Sequence, residues 1–168
     1  MALEHKNQPE FRQHTYISAF GEGWALYSET LGLQMGMYDT PYDRFGMLGY
    51  QIWRAARLVV DTGIHSQRWT RDRAISYLLE YTALQPHEVE TEVDRYIGWP
   101  GQALSYYLGE TEIVKDRKRA EQALGDKFNI RAFHDTVLEL GSVPLPVLSA
   151  RIDRFIADGG KGPYPDTE

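Results

Sequence analysis

The sequence predicts an all-α fold, a single bundle-like domain of about six or seven helices at residues 1–158 with a disordered tail at 159–168. Three observations carry this. Apolar residues recur at the spacing of a helix with one buried face through most of the chain. No segment sustains the apolar–polar alternation of a strand. Capping residues, prolines and glycines punctuate the periodic stretches as starts and stops.

The first helix carries Ile17, Phe20, Trp24, Tyr27 and Leu31 on one stripe. Gly32 and Gly36 loosen the chain after it, and Thr40-Pro41 reads as an N-cap with proline at the first helical position. Phe45, Leu48, Ile52, Ala55 and Val59 continue the second helix to about Val60. Asp61-Thr62-Gly63 ends it, which leaves His65 in the connection that follows. Thr70, with Asp72 in the first turn, opens a helix through Tyr81, and Pro86 opens the next, with Val89, Val93 and Ile97 at helical spacing. Gly98-Trp99-Pro100-Gly101 is a strong break. The longest helix is then expected from Gln102 to Leu124, closed by Gly125. Asn129 caps a helix that holds Phe133, Val137 and Leu140 and stops at Gly141. Pro144 enters a last helix carrying Leu148, Ile152 and Phe155. The tail begins at Gly159-Gly160-Lys161-Gly162-Pro163, too poor in apolar residues to fold on its own.

Composition narrows the functional classes. With 42% hydrophobic residues among 168, the chain can bury a core. Eleven Tyr and four Trp argue against intrinsic disorder for most of it. A formal net charge of −6 argues against a nucleic-acid surface, which needs a basic stripe to neutralise phosphates. No stretch approaches the roughly 18 apolar residues of a membrane span. No basic segment followed by an apolar one marks a signal peptide in these residues, and the compartment stays open. The absence of cysteine excludes disulfides, thiolate metal sites and a cysteine nucleophile.

The densest chemical signal is the run Glu22-Gly23-Trp24-Ala25-Leu26-Tyr27-Ser28-Glu29. Glu22 and Glu29 share a helical face opposite the aromatic stripe, beside Ser18, Gly21, Ala25 and Ser28. Two glutamates on an amphipathic helix are ordinarily a solvated back face. This face, however, carries small residues instead of Lys, Arg and Gln, so another element can approach it closely. A carboxylate buried there needs a cation or hydrogen-bond donors. The second dense patch is Arg95 to Tyr107, with an arginine able to clamp a carboxylate, tyrosines able to donate to a developing oxyanion and glycines that permit close approach. A packed aromatic corner reads equally well from the same residues.

His65 either donates to a substrate oxygen or is a satisfied structural histidine. His134 reads as structural and His87 as surface, and the spacing of His5 and His14 matches no common zinc motif. Arg57 and Asp61 stand at i,i+4 and read as a structural ion pair on the helix that also carries Arg54. Glu88, Glu90, Glu92 and Asp94 read as a solvated face. No nucleophile elbow and no phosphate-binding glycine loop appear.

Four segments together resemble the C-terminal portion of the bacterial "domain of unknown function 885" proteins, which look like gluzincin-type zinc metallopeptidases. They are Phe20 to Glu29, Arg57 to His65, Arg95 to Tyr106, and Phe133 to Leu145, in that order. In gluzincins, the two histidines of His-Glu-x-x-His and a glutamate on a later helix bind zinc, and the motif's own glutamate is the general base. The resemblance implies that Glu22 is the third zinc ligand and Glu29 an outer acceptor that orients a ligand or a tyrosine. It implies that His65, Arg95 and Tyr106 bind the carbonyl or terminal carboxylate of a peptide-like substrate. Tyr107 departs from the pattern, standing where the family often has lysine.

The sequence contains no His-Glu-x-x-His and joins the family pattern just after it, so the expectation is a truncated domain without bound zinc or peptidase activity by itself. The alternative expectation is a stand-alone α-helical ligand-binding module, or a homo-oligomer formed through cleft walls around Trp24, Trp99 and Tyr106.

Overall fold

The computed structural model describes residues 9–164. His5 and the tail residues 165–168 lie outside them. Among the described residues there are eight α-helices and no strand, so the all-α expectation holds. The helices are α1 (Glu10–Gln13), α2 (Ser18–Gln34), α3 (Pro41–Gln67), α4 (Arg71–Tyr81), α5 (Pro86–Gly98), α6 (Ser105–Leu124), α7 (Ile130–Leu138) and α8 (Leu145–Ala157). The sequence gives no clear sign of α1, a single turn.

Helix starts follow their local chemistry. Thr40 and Asp43 form a reciprocal capping box that brackets Pro41, the Thr70 hydroxyl accepts from the Arg73 N–H, and Asn129 Oδ1 accepts from Arg131 and Ala132. α2 continues through Gly32 to Gln34, and α7 ends at Leu138, short of Leu140. Two further boundaries differ more widely from expectation. α3 does not end near Val60 but runs to Gln67, making it the longest helix at 27 residues. Gly63 lies inside it, and Trp69 folds back so that its ring fills the space a Cβ on Gly63 would need, 2.5 Å away. The left-handed residue that ends the helix is Arg68, at φ 56°, with the Trp69 N–H bonding the Gly63 carbonyl at 2.9 Å. Likewise α6 does not start at Gln102: Gln102–Leu104 is a 3-10 turn entered from Gly101 at φ 79°, and the α-helix begins at Ser105.

The chain falls into two compact units, Met1–Trp24 with Leu108–Glu168, and Ala25–Tyr107. In the second unit α3, α4 and α5 pack on one another around Val60, Ala74, Leu78, Val89 and Val93, all fully buried. In the first unit α7 packs on α8 around Phe133, Val137, Leu148, Ile152 and Phe155. There too α2 meets α6 through glycines. A Cβ on Gly109 would lie 1.8 Å from the Ala19 carbonyl oxygen, and one on Gly23 would lie 2.4 Å from Gly109 Cα. Close approach to α2 was expected from its small residues, but it occurs at Ala19 and Gly23, beside the face that carries Glu22. Gly160 donates to the Phe155 carbonyl and Gly162 lies against Ala132, so residues 159–164 continue as turns on this unit.

Candidate functional site

In the Ala25–Tyr107 unit, side chains from α3, α5, the turn before α6 and the first turn of α6 gather around Arg57. This residue is 3% exposed. Its Nη2 donates to Gln102 Oε1 at 3.2 Å, and its guanidinium lies over the rings of Tyr106, Trp53 and Tyr96, at 4.6, 5.3 and 5.4 Å from their centroids. Its Nε is buried with no hydrogen-bond partner. The expected ion pair with Asp61 does not form. Asp61, itself buried, turns both carboxylate oxygens to the Gly101 N–H at 3.1 Å, and so pins the left-handed turn that delivers Gln102. The structural role read for Asp61 stands, but its partner is a backbone amide 40 residues away.

Arg95 clamps Glu92 in a two-pronged bond, Nη2 to Oε2 at 2.7 Å and Nε to Oε1 at 3.1 Å, and its Nη1 reaches Gln102 Oε1 at 3.0 Å. One amide oxygen thus accepts from two guanidinium groups. Glu92 is not the solvated residue that its acidic run suggested. Burial works to raise its carboxyl, but hydrogen bonds from Arg95 and Tyr96 outweigh this and hold it below the ordinary carboxylate range. The Tyr96 hydroxyl, which also accepts from Trp53 Nε1 at 3.1 Å, is pushed well above the usual phenol range, chiefly by burial.

The candidate residues on the described chain have definite places. Tyr106 is half-buried beneath Arg57, and Arg54 lies 5.7 Å from the same ring. Glu29 receives Arg54 in a bidentate pair at 2.8 and 3.0 Å, so its immediate partner is a guanidinium. His65 sits in the last turn of α3, exposed, with Nε2 2.9 Å from the Tyr96 carbonyl oxygen. Since a carbonyl only accepts, Nε2 carries the proton in that contact. Tyr107 donates to the Gln51 carbonyl at 3.3 Å. Arg95, Tyr106 and Glu29 therefore join one network, and His65 touches it through the Tyr96 backbone. Arg57 and Gln102 are the residues the sequence reading missed as site components. The signal available was the position of Gln102 directly after the Trp99-Pro100-Gly101 break.

Glu22 belongs to the other unit, half-buried on α2. Among the described residues no group of three or more His, Asp or Glu side chains is arranged to hold a metal ion, so those residues alone do not fit a zinc site. In the same unit His134 stands edge-on to Trp24, with ring centroids 5.5 Å apart, and burial followed by the Arg117 charge lowers its pKa from 6.5.

Comparison with known proteins adds a family and two structures. The family model described as "Bacterial protein of unknown function (DUF885)" matches residues 1–152. A crystal structure of a "putative lipoprotein" from Colwellia psychrerythraea is similar to this chain at 44% identity and a TM-score of 0.91, over 94% of this chain and 27% of that one. A "putative lipoprotein of unknown function" from Shewanella oneidensis is similar at 26% identity and a TM-score of 0.78, over 89% of this chain and 28% of that one. The chain thus spans little more than a quarter of the length of these solved proteins. Among curated proteins nothing matches.

Proposed function

The chain belongs to the bacterial DUF885 family, and from that premise we propose that it supplies substrate-binding residues and one metal ligand to a zinc-dependent, peptidase-like hydrolase. The observation that supports this best is convergence. Parts of three of the segments that carry the family resemblance, ending in Glu29, beginning at Arg57 and running from Arg95 to Tyr106, meet in one network although they are far apart in sequence. Arg95 and Tyr106 are the proposed contacts to a peptide-like substrate. His65 is a positioning residue, holding the Tyr96 backbone through Nε2.

The metal half of the proposal rests on the likeness of Phe20 to Glu29 to the segment that gives gluzincins their third ligand. Glu22 takes that role, with the remaining ligands contributed from outside the described residues, since a single carboxylate is too few for a stable site. The test is peptide hydrolysis by the natural protein as its host produces it. Glu22→Gln is expected to lower kcat/KM by about a hundredfold or more, the scale of losing a residue that acts in the transition state. Undiminished zinc-dependent hydrolysis in that variant would sink the proposal. The 168 residues produced alone are expected to hydrolyse no peptide.

A second reading is a helical module that binds a ligand or a second copy of itself. The first half of α3 favours it, with Tyr42 87%, Phe45 68%, Leu48 55% and Ile52 47% exposed. Beside it lies a cleft of about 490 Å³ whose lining includes Met37, Tyr38, Met47, Tyr50 and the Glu29–Arg54 pair. An apolar helix face of this kind is ordinarily covered by something. Sedimentation velocity of the chain distinguishes the readings: concentration-dependent dimerisation lost in Phe45→Glu supports the module, and a monomer at all concentrations counts against self-association.

A further inference from the structure

Arg57 is a buried cation that the rest of the network leaves incomplete. Arg54 has Glu29, Arg95 has Glu92, and Arg71 and Arg119 likewise have carboxylates. Among the described residues no carboxylate lies within ion-pair distance of Arg57. Its contacts are a neutral amide oxygen and three aromatic faces, and its Nε has no partner. Buried charges are as a rule paired, and a buried donor without an acceptor marks either strain or a missing group.

The neighbouring geometry says what kind of group is missing. Gln102 Oε1 accepts from Arg57 Nη2 and Arg95 Nη1 together, a two-guanidinium arrangement better matched to a carboxylate than to an amide. Gln102 is 8% exposed, while the Arg95 side chain is 35% exposed and Tyr106 is half-buried, so access is from the side of Arg95 and Tyr106. We infer that Arg57 and Arg95 form a receptor for a carboxylate group, whose place the Gln102 amide oxygen holds in the free protein. The incoming carboxylate displaces that oxygen, accepts from both guanidinium groups and neutralises Arg57.

This deepens the reading of the network as a substrate-binding wall, but it requires neither zinc nor turnover. It is tested by calorimetric titration of the 168-residue chain with acetyl-dialanine, with its C-terminal amide, with succinate and with inorganic phosphate. The acid is expected to bind about tenfold or more tightly than the amide, the scale of a charge-assisted hydrogen bond. Arg57→Met and Arg95→Gln should each weaken binding of the acid by about tenfold. Arg95→Gln, at a partly exposed position, keeps the test available if Arg57→Met fails to fold. Gln102→Ala should tighten binding because the internal competitor is gone. Succinate binding as tightly as the acid identifies a free carboxylate as sufficient, and weaker succinate binding points to a peptide C-terminus. Equal binding of acid and amide, unchanged binding in a folded Arg95→Gln, or phosphate binding more tightly than any carboxylate would each overturn the inference. If carboxylates fail to bind while hydrolysis by the natural protein still depends on Glu22, only this inference is lost.

Discussion

A guanidinium taken out of water needs compensation, and Arg57 shows how much of it aromatic rings can supply. Cation–π contacts contribute about 0.5–2 kcal/mol each, and three rings face this one group. They stabilise the charge without neutralising it, which leaves the residue held in place and still electropositive. His134 shows the opposite case, a titratable group that burial keeps neutral. Its pKa lies below the ordinary 6.5, so the unfolded chain takes up a proton at this position before the folded chain does. Stability from this residue is therefore complete above pH 6.5 and falls as pH drops from there toward the lowered value. Thermal melts between neutral and mildly acidic pH should show that loss, and His134→Gln should flatten this part of the profile. An unchanged slope in the variant would mean that His134 titrates normally in the fold.

At the scale of elements, α3 supplies most of the network, because it presents Trp53, Arg54, Arg57 and Asp61 on successive turns. Its end is unusual in placing an arginine in the left-handed region, where glycine is favoured. Arg68→Gly should stabilise the chain by about 1 kcal/mol, because the strain of a side chain at positive φ is relieved. Gly63→Ala should destabilise it, because the new Cβ meets the Trp69 ring. Denaturant titrations of the two variants check both signs, and a stabilising Gly63→Ala would contradict the packing described here.

Helix starts were legible in the sequence because their signals are local. Thr40, Thr70 and Asn129 each accept from backbone N–H groups within a turn of themselves, and Pro41 and Pro86 stand at a helix start where a missing N–H costs nothing. The end of α3 was not legible, since Asp61-Thr62-Gly63 looks like a stop until a tryptophan six residues later packs on the glycine. The site divides in the same way. The patch from Arg95 to Tyr106 was visible as a concentration of chemistry in one segment. The Arg57–Asp61 spacing, by contrast, suggested a local pair, and only the fold sends Asp61 to Gly101 and Arg57 to Gln102.

For the whole molecule, two compact units carry the two halves of the proposed chemistry. The Ala25–Tyr107 unit holds the arginine and tyrosine network, and the other unit holds Glu22. The carboxylate receptor is a property of one unit and can be tested in the chain by itself. The metal ligand proposed at Glu22 needs further ligands, and among the described residues no cluster supplies them. Membership in a family of unknown function gives neither half a chemical role, so each depends on its own measurement. The most direct is metal counting by native mass spectrometry on the natural protein as its host produces it, on its Glu22→Gln variant and on the 168-residue chain alone. About one zinc per natural chain, lost in Glu22→Gln and absent from the 168 residues alone, is the expected result for a third ligand. Full zinc retention in Glu22→Gln, or stoichiometric zinc on the 168 residues alone, would contradict it.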